Sequence, residues 1–504
     1  MTLSTASGGP VGLRAALRQR LIVTVDTLGL EPVGPEEPDA EIVQRLALHA
    51  KRVPESSIAW LLFIALSASF PTADDLAELR RSLDLATEGG TMIAALGATL
   101  PAASRSDRLG STMRVESGSI VVDVNFCATH EHNTGIQRVV RQTIPRWLAD
   151  GHELALIAWT PDGEAMRDLD AVELDRVLHW DDRQHPDPDA GPAVGSIVVP
   201  WKSNVFLPEV PLDRLCAPLA ALAESSGNRV SLIGYDAIPL VSAESQRAAE
   251  SQRFANYLSL VKHSDAIFGI SESAAGEFSG FVSTLPAQGL SGPAVTNVPL
   301  AVGVPGTQAT ASPAKVAGRD EIVPLVVCIG SHEPRKNQDA VLHAAHTLFR
   351  QGQKFRMVFV GGGDRSNLHS FDKRVRKLRA SGYDVSSRRK VTDSELWGLY
   401  REARFSVFVS LHEGFGLPVA ESLALGTPAL TSNYGSLAEI AEGGGCVTVD
   451  PRSDDQVIAG MRKLLTDDKL VAKLRAQAAG RRPRGWDDYA RELWTAAALD
   501  RELP

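Results

Sequence analysis

The chain has 504 residues, of which 44% are hydrophobic and 22% are charged. This balance is typical of a folded globular protein of about three domains, and it excludes a disordered, collagen-like or coiled-coil chain. The formal net charge of −9 leaves no overall positive field, so no nucleic-acid partner is expected.

Cysteine usage and apolar runs indicate the compartment. The four cysteines stand far apart and form no C-x-x-C pair, so neither a zinc site nor a disulfide framework is predicted. Residues 1–13 lack an apolar core, so no signal peptide is predicted. The longest apolar run, 57–70, is shorter than the roughly 20 residues that cross a bilayer. These features predict a cytoplasmic protein.

The first part of the chain, 1–117, has apolar residues at helical spacing and little strand pattern. Helices are predicted over 13–21, 39–51, 58–66 and 74–85, followed by a polar linker around 104–118. The sequence therefore predicts a small helical extension. Its role stays open between homo-oligomer formation, docking to a partner or to the inner face of a membrane, and shaping of an acceptor site.

From Ile120 onward, apolar runs of strand length alternate with helical periodicities in two successive series. Strands of the first series are predicted over 120–126, 154–159, 196–200, 230–235 and 266–270. A linker rich in Pro, Gly and Ser covers 289–318. Strands of the second series are predicted over 323–329, 355–361, 405–409, 428–431 and 446–449.

Two such series predict an α/β chain with two doubly wound, Rossmann-like parallel sheets that face a cleft. The predicted domains are 118–305 on the acceptor side, 306–480 as the ligand-binding domain, and a final crossover helix over 481–504. Ligands of such sheets bind at the carboxyl ends of the strands, so the cleft is the expected site.

The clearest motif runs from Glu413 to Gly426 and reads EGFGLPVAESLALG. It follows a predicted strand and opens a helix with Pro418 in its first turn. Its glycines allow close approach of a ligand, and its free N–H groups form an anion site. Glu413 and Glu421 flank the turn, which suits a polyhydroxyl ligand that carries phosphate. The alternative is an ordinary strand–loop–helix whose acidic residues favour the helix dipole.

A basic pair, Arg335 and Lys336, stands in the segment GSHEPRKN that begins at Gly330 and follows the first strand of the second series. At the start of the next helix, for which Asn337 is the predicted N-cap, this pair suits a diphosphate. The alternative is a solvated basic pair on a loop.

Together these residues resemble the signature of the retaining family 4 glycosyltransferases, within the glycosyl transferases group 1. The segment TGIQRV, residues 134–139, is similar to a subgroup of that family. The resemblance covers the chain from about Ile120 to its end. It implies the GT-B fold, a nucleotide-diphosphate sugar as substrate, and neither a metal nor a bound cofactor. The segment from Gly485 and the final helix resemble the family's crossover to the N-terminal domain.

The resemblance also implies a role for each residue of the two motifs. Arg335 and Lys336 neutralise the departing diphosphate, Glu413 binds sugar hydroxyls, and Glu421 binds the ribose hydroxyls. The remaining donor-binding positions are glycines and backbone N–H groups, at Gly330, Gly414, Phe415, Gly416 and Leu417.

Two further positions come from the first series. Gly135, with Arg138 as a weaker candidate, lies in a loop that the resemblance places near the donor, or it forms a normal turn. Asp236 ends a predicted strand and resembles the aspartate of a (His/Tyr)-Asp-x-x-Pro segment, in which Tyr235 stands where many relatives have His. Asp236 is expected either to take the acceptor proton or orient the donor, or to cap a turn.

The function that the sequence favours is transfer of a hexosyl group, with GDP-mannose as the preferred donor, to a glycan or lipid-linked acceptor. This donor preference rests on the likeness to the TGIQRV subgroup. Two Asp-x-Asp patterns, 168–170 and 187–189, lie in loop-like sequence and are not expected to bind a metal. The alternative function is a non-catalytic subunit that binds a nucleotide sugar in a glycan-assembly complex.

Overall fold

A computed structural model describes residues 10–180, 195–303 and 323–499. The described residues begin with five helices: α1 (Pro10–Thr27), α2 (Asp39–Arg52), α3 (Ser56–Ser67), α4 (Ala73–Leu85) and α5 (Thr91–Arg105). The first four were predicted. The sequence did not predict α5, which contains Gly97 and Pro101, two residues that weaken a helical pattern.

The five helices share one hydrophobic core with the first sheet. Every residue of α3 from Ile58 to Ser67 is buried, and the cluster that holds Trp60 and Phe63 continues into the strand residues Val121 and Val198. The helical extension is therefore built onto the sheet by shared packing. On its outer side, Ile93 and Leu100 of α5 are exposed. The predicted roles of this region stay predictions.

The first sheet has nine strands: β1 (Met113–Ser117), β2 (Ile120–Asp123), β3 (Ala155–Trp159), β4 (Met166–Asp168), β5 (Ile197–Trp201), β6 (Asn204–Leu207), β7 (Arg229–Gly234), β8 (Ala266–Gly269) and β9 (Ala294–Asn297). Their order is β1-β5-β4-β3-β2-β6-β7-β8-β9. All pairs are parallel except those that β4 makes with β3 and β5. Its helices are α6 (Asn125–Thr129), α7 (Gly135–Ala149), α8 (Ala171–Leu178), α9 (Asp213–Ser225), α10 (Ile238–Val241), α11 (Ala248–Val261) and α12 (Glu272–Val282).

Two segments predicted as linkers contain edge strands. Strand β1 lies within 104–118 and pairs with β5, and β9 lies within 289–318 and pairs with β8. Both were wrongly assigned because edge strands carry polar residues on their outer face and so lack a continuous apolar run. The second Asp-x-Asp pattern, 187–189, and the predicted boundary at 305 lie outside the described residues.

The second sheet has six strands: β10 (Leu325–Ile329), β11 (Arg356–Val360), β12 (Val385–Arg388), β13 (Phe405–Phe408), β14 (Ala429–Ser432) and β15 (Cys446–Val449). They are all parallel, in the order β12-β11-β10-β13-β14-β15. Its helices are α13 (Gln338–Arg350), α14 (Arg365–Ala380), α15 (Asp393–Glu402), α16 (Leu417–Ala424), α17 (Gly435–Glu442), α18 (Asp454–Thr466) and α19 (Asp468–Ala479). This strand order is the doubly wound order, in which neighbouring connections diverge between β10 and β13.

The last helix, α20 (Trp486–Ala497), packs on the first sheet's domain. The indole N–H of Trp147 on α7 donates to the carbonyl of Ala490 at 2.8 Å, and the rings of Trp147 and Trp494 meet edge to face. The two predicted sheets are thus confirmed, and the predicted domain boundaries stay predictions. Over the residues described, no helix is both long and apolar enough to span a membrane.

Arg20 on α1 holds the helical extension to the chain that leads into β1. Its side chain is buried and donates to the carbonyls of Ala65, Leu109 and Ser111 at 2.6–2.9 Å. Burial lowers the pKa of this guanidinium to about 10. We expect Arg20→Met to destabilise the protein by about 3 kcal/mol, since buried carbonyls lose their donor.

The measurement is the midpoint of thermal unfolding. Arg14→Met on the same helix is the control, because Arg14 is exposed and pairs only with Asp39. Equal midpoints for the two variants would contradict the anchoring role of Arg20.

Candidate active site

The candidate site lies where the connections of the second sheet diverge. Arg335 and Lys336 follow β10 on a short turn, Pro334–Lys336, and Glu413 follows β13 in the loop before α16. Because β10 and β13 are neighbouring parallel strands, their following loops meet at one edge of the sheet. The topology therefore brings together residues that are 77 and 78 positions apart in the chain.

Glu413 is a buried carboxylate held between two cations. Lys336 Nζ donates to both of its oxygens at 2.6 and 2.7 Å, and Arg335 Nη1 donates to Oε2 at 3.0 Å. The side chain of Glu413 is 8% exposed. Burial alone would raise the pKa of Glu413, but the charges of Lys336 and Arg335 outweigh it and hold this pKa below its usual range. Glu413 is therefore an anion at neutral pH.

Asn337 occupies the N-cap position of α13, but its side chain does not cap the helix. It adopts a left-handed conformation with φ of 54°, and its amide donates to the carbonyls of Val409 and Pro451 at 3.2 and 2.8 Å. The prediction of a side-chain cap was wrong. The amide instead ties the loop after β10 to the loop after β13, which fixes the basic pair relative to Glu413.

The glycines of the motif Glu413–Gly426 allow other parts of the protein to pack closely against it. A Cβ on Gly414 would lie 2.3 Å from the carbonyl oxygen of Tyr235 in the first sheet's domain, and one on Gly416 would lie 2.5 Å from Leu437. Gly416 also has φ of 108°, a conformation that favours glycine. Both glycines are thus required by protein packing. Donor binding by Gly330, Gly414, Phe415, Gly416 and Leu417 stays a prediction.

Glu421 on α16 lies against Arg138 of α7, across the cleft. Arg138 Nη1 donates to Glu421 Oε1 at 2.9 Å, and Arg138 Nη2 donates to the carbonyl of Gly303 at 2.9 Å. Burial raises the pKa of Glu421 to about 7, and Arg138 opposes this rise. The predicted loop residue Gly135 lies beside Leu417, since a Cβ there would be 3.7 Å from that side chain. Gly135, predicted in a loop, is the first residue of α7, so the start of this helix reaches the motif Glu413–Gly426.

Asp236 directly follows β7 and faces the same group of charges. Its Oδ1 accepts from the backbone N–H of Ile238 at 3.1 Å, as in a turn. Burial raises the pKa of Asp236, and Arg335 opposes this rise. Tyr235, by contrast, is buried and its hydroxyl donates to the carbonyl of Pro208 at 2.7 Å. Of this pair, Asp236 is therefore the one with a charged partner in the cleft.

Further cleft residues were not identified from the sequence. His412 Nε2 meets Glu277 Oε1 on α12 at 2.6 Å, and Nδ1 meets the hydroxyl of Ser242 at 2.9 Å. The hydrogen bond to Glu277 raises the pKa of His412. The one sequence signal was that His412 stands directly before Glu413. Glu277 had none, because a glutamate on a helix is usually solvated.

The first sheet has its own pair of buried carboxylates where its connections diverge, between β2 and β6. Glu209 accepts from the backbone N–H groups of Phe126 and Cys127 at 2.6 and 2.8 Å, and Asp123 accepts from the indole of Trp159 at 2.8 Å. Burial raises the pKa of Glu209 to about 7 and that of Asp123 to about 6. The hydrogen-bond partners of Glu209 and Asp123 lie within the first sheet's own domain. The charged site of the cleft is therefore formed by the loops of the second sheet.

Residues 314–481 match the protein family described as Glycosyl transferases group 1. Three relatives are mannosyltransferases by name. The serotype-specific mannosyltransferase WbdA of Escherichia coli is 30% identical over 48% of this chain and 30% of its own. The O-antigen chain mannosyltransferase B of Escherichia coli is 34% identical over 28% of this chain and 36% of its own.

The third relative is the GDP-mannose:cellobiosyl-diphosphopolyprenol alpha-mannosyltransferase of Komagataeibacter xylinus. It is 34% identical over 28% of this chain and 35% of its own. The chain thus spans about a third of the length of these curated relatives.

Solved structures confirm the predicted GT-B fold. The sucrose-phosphate synthase of Thermosynechococcus elongatus superposes with a TM-score of 0.50 at 15% identity, over 76% of this chain and 97% of its own. The N-terminal domain of trehalose-6-phosphate phosphatase from Candida albicans gives a TM-score of 0.51 at 13% identity, over 76% and 97%. These likenesses establish the fold alone.

Neutralisation of Glu413 should remove the buried anion beside Lys336 and leave Arg335 with its half-exposed partner Glu333. We expect Glu413→Gln to destabilise the protein by about 3 kcal/mol at pH 7. Since the pKa of Glu413 is lowered by folding, its stabilisation is present above the unfolded value of about 4.3 and is lost as pH falls through the folded pKa. The deficit of the variant should therefore shrink below about pH 4.

Thermal unfolding midpoints between pH 3 and pH 8 measure this deficit. The control is Glu333→Gln, which removes only a half-exposed partner of Arg335. A deficit for Glu413→Gln that is independent of pH would contradict the assigned ionisation.

Proposed function

We propose that this chain is a retaining glycosyltransferase that transfers a mannosyl-type hexosyl group from GDP-mannose to a glycan or lipid-linked acceptor. The observation that carries the proposal is the buried Glu413 between Arg335 and Lys336, at the divergence point of the second sheet. The group 1 domain over 314–481 supports the reaction class. The names of the relatives, one of which includes GDP-mannose, support the sugar and the nucleotide.

The basic pair suits the charge that develops in such a reaction. As the bond from the sugar C1 to the diphosphate oxygen breaks, negative charge grows on the leaving diphosphate and positive charge grows on the sugar ring. Preorganised cations in a site with little water stabilise a leaving anion strongly. Arg335 and Lys336 are 16% and 12% exposed, so their charges are only weakly screened.

Each acidic side chain then has a separate task. Glu413, which stays ionised, accepts hydrogen bonds from hydroxyls of the transferred sugar and orients the ring. Glu421 binds the ribose hydroxyls. Asp236, whose pKa is raised by burial, takes the proton of the attacking acceptor hydroxyl. The acceptor oxygen forms the new bond to C1, and GDP leaves.

The charge of Arg335 and Lys336 should be needed for turnover more than for binding. We expect Arg335→Ala and Lys336→Ala each to lower kcat by about 10²–10³-fold, because they act on charge that develops in the transition state. The measurement is release of GDP from GDP-mannose with oligomannose and polyprenyl-linked acceptors, beside calorimetric affinity for GDP-mannose.

Arg374→Ala is the matched control, because Arg374 is a half-exposed cation of the same domain that pairs with Asp339. Unchanged kcat in both site variants would contradict the proposal. Binding of GDP-mannose by the wild type without turnover on any acceptor would favour the non-catalytic alternative.

The mechanism also makes a prediction about metals and stereochemistry. If Arg335 and Lys336 supply the positive charge at the diphosphate, EDTA should leave the rate unchanged within about twofold, because no step depends on a divalent cation. NMR of the product should show an α-linkage formed from the α-linked donor. Loss of activity in EDTA that Mg²⁺ restores, or a β-linked product, would contradict these two parts of the proposal.

A further inference from the structure

Arg138 joins three parts of the molecule at the cleft. It stands in the first turn of α7, donates from Nη1 to Glu421 on α16, and donates from Nη2 to the carbonyl of Gly303. A Cβ on Gly303 would lie 2.5 Å from the indole nitrogen of Trp486, at the start of α20. The guanidinium of Arg138 thus links the first domain, the second domain and the segment at Gly303 that lies against the start of α20.

The arginine is held in place by its own helix. Gln137 Oε1 accepts from the backbone N–H of Thr134 at 3.2 Å, which fixes the first turn of α7. The guanidinium is planar and presents its two Nη groups to two different carbonyl or carboxylate oxygens, a task that a lysine ammonium does not reproduce. Its side chain is 29% exposed, whereas that of Glu421 is 7% exposed.

Among the described residues, Arg138 is the cation that acts on Glu421. The charged and titratable groups that act on it are Arg138 from α7, and Asp393 and Tyr400 from α15. Burial and the negative charge of Asp393 disfavour the carboxylate, and Arg138 is the cation that favours it. Under the proposed function, Glu421 accepts hydrogen bonds from two sugar hydroxyls, and only an ionised carboxylate accepts at both oxygens without donating.

We propose that Arg138 is a positioning residue of the donor site, which reaches across the cleft to keep Glu421 ionised and oriented toward the nucleotide's ribose. This inference rests on the proposed function, because it takes Glu421 as the ribose-binding group. Its consequence is that the donor site is complete only when the two domains are closed. A nucleotide then binds to the carboxylate of Glu421 in the second domain, which Arg138 of the first domain keeps ionised.

The experiment measures affinity for GDP-mannose by calorimetry between pH 6 and pH 9.5. In the wild type, affinity should fall by up to about tenfold per pH unit below pH 7, as Glu421 takes up one proton. In Arg138→Gln the same fall should begin at least about one pH unit higher, with affinity within about threefold of wild type at pH 9.5. Arg138→Lys should restore the pH midpoint, and Glu421→Gln should abolish this pH dependence.

Arg146→Gln is the control, since Arg146 lies on the same helix and makes an exposed ion pair with Asp487. It should leave the pH profile unchanged. An equal loss of affinity at every pH in Arg138→Gln would overturn the inference, because it would mean direct contact with the donor or a purely structural role. A tighter affinity in Arg138→Gln would overturn it as well.

A second measurement needs no nucleotide and separates this inference from the proposed function. Because burial raises the folded pKa of Glu421, its contribution to stability is lost as pH rises through that pKa. The resulting fall in the unfolding midpoint should extend to higher pH in Arg138→Gln and be absent in Glu421→Gln. If the wild type binds no GDP-mannose, the proposed donor is wrong. If the unfolding midpoint depends on pH in the same way in Arg138→Gln and in the wild type, the role proposed for Arg138 is overturned.

Discussion

The structure of the cleft depends on a carboxylate that is buried with two cations. Removing three charges from water is costly, and it succeeds only when the pairs are short and every remaining polar group has a partner. The pairs that Glu413 makes with Arg335 and Lys336 are short because their two loops follow neighbouring parallel strands. The loops are also tied by backbone, since the N–H of Leu411 donates to the carbonyl of Arg335 at 2.7 Å. Because apolar residues of similar volume often stabilise a fold as much as a buried ion pair does, stability alone does not account for these charges.

The same loop also forms much of the contact between the two domains. The hydroxyl of Ser271 donates to the carbonyl of Gly414 at 2.6 Å, and the carboxylate of Glu439 accepts from the backbone N–H groups of Glu272 and Ser273 at the start of α12. His412 reaches Glu277 on that helix. Because the contacts between domains and the charged site share residues 412–414, movement of one domain against the other changes the geometry of the site. Opening of the cleft is therefore coupled to its electrostatics.

Much of the fold was predictable because it follows from local patterns. Buried parallel strands are continuous apolar runs, and the helices between them carry apolar stripes, so both sheets emerged from the sequence. Strands β1 and β9 were not predicted, since they are edge strands whose outer residues are polar. Strands β4 and β12 were also missed because they contain polar residues, and β6 was missed because its apolar run is only three residues long. Helix α5 was missed because Gly97 and Pro101 interrupt its pattern, and packing against α2, α3 and α4 compensates for them.

The part of the site that was predictable consists of residues that belong to contiguous sequence motifs. Glu413, Glu421, Arg335 and Lys336 were all chosen from their neighbours in sequence, and the structure brings three of them into one cluster. Arg138 was predicted as a weaker candidate for the donor site, but its pairing with Glu421 was not predicted. The two residues lie 283 positions apart and meet because α7 and α16 face each other across the cleft. Asn337 shows the same limit, because its role depends on two carbonyls from distant loops.

Glu413 and Glu421, the two glutamates of the motif Glu413–Gly426, show why residue type alone does not define a site. They are eight positions apart and both are buried, yet the pKa of Glu413 is lowered and that of Glu421 is raised to about 7. The difference follows from their partners: two cations from the same domain outweigh the burial of Glu413, whereas one arginine from the other domain does not outweigh the burial of Glu421. Glu413 is therefore a fixed charge of the second domain. The charge of Glu421 is set by how the domains meet, so two carboxylates of one motif are suited to two different tasks.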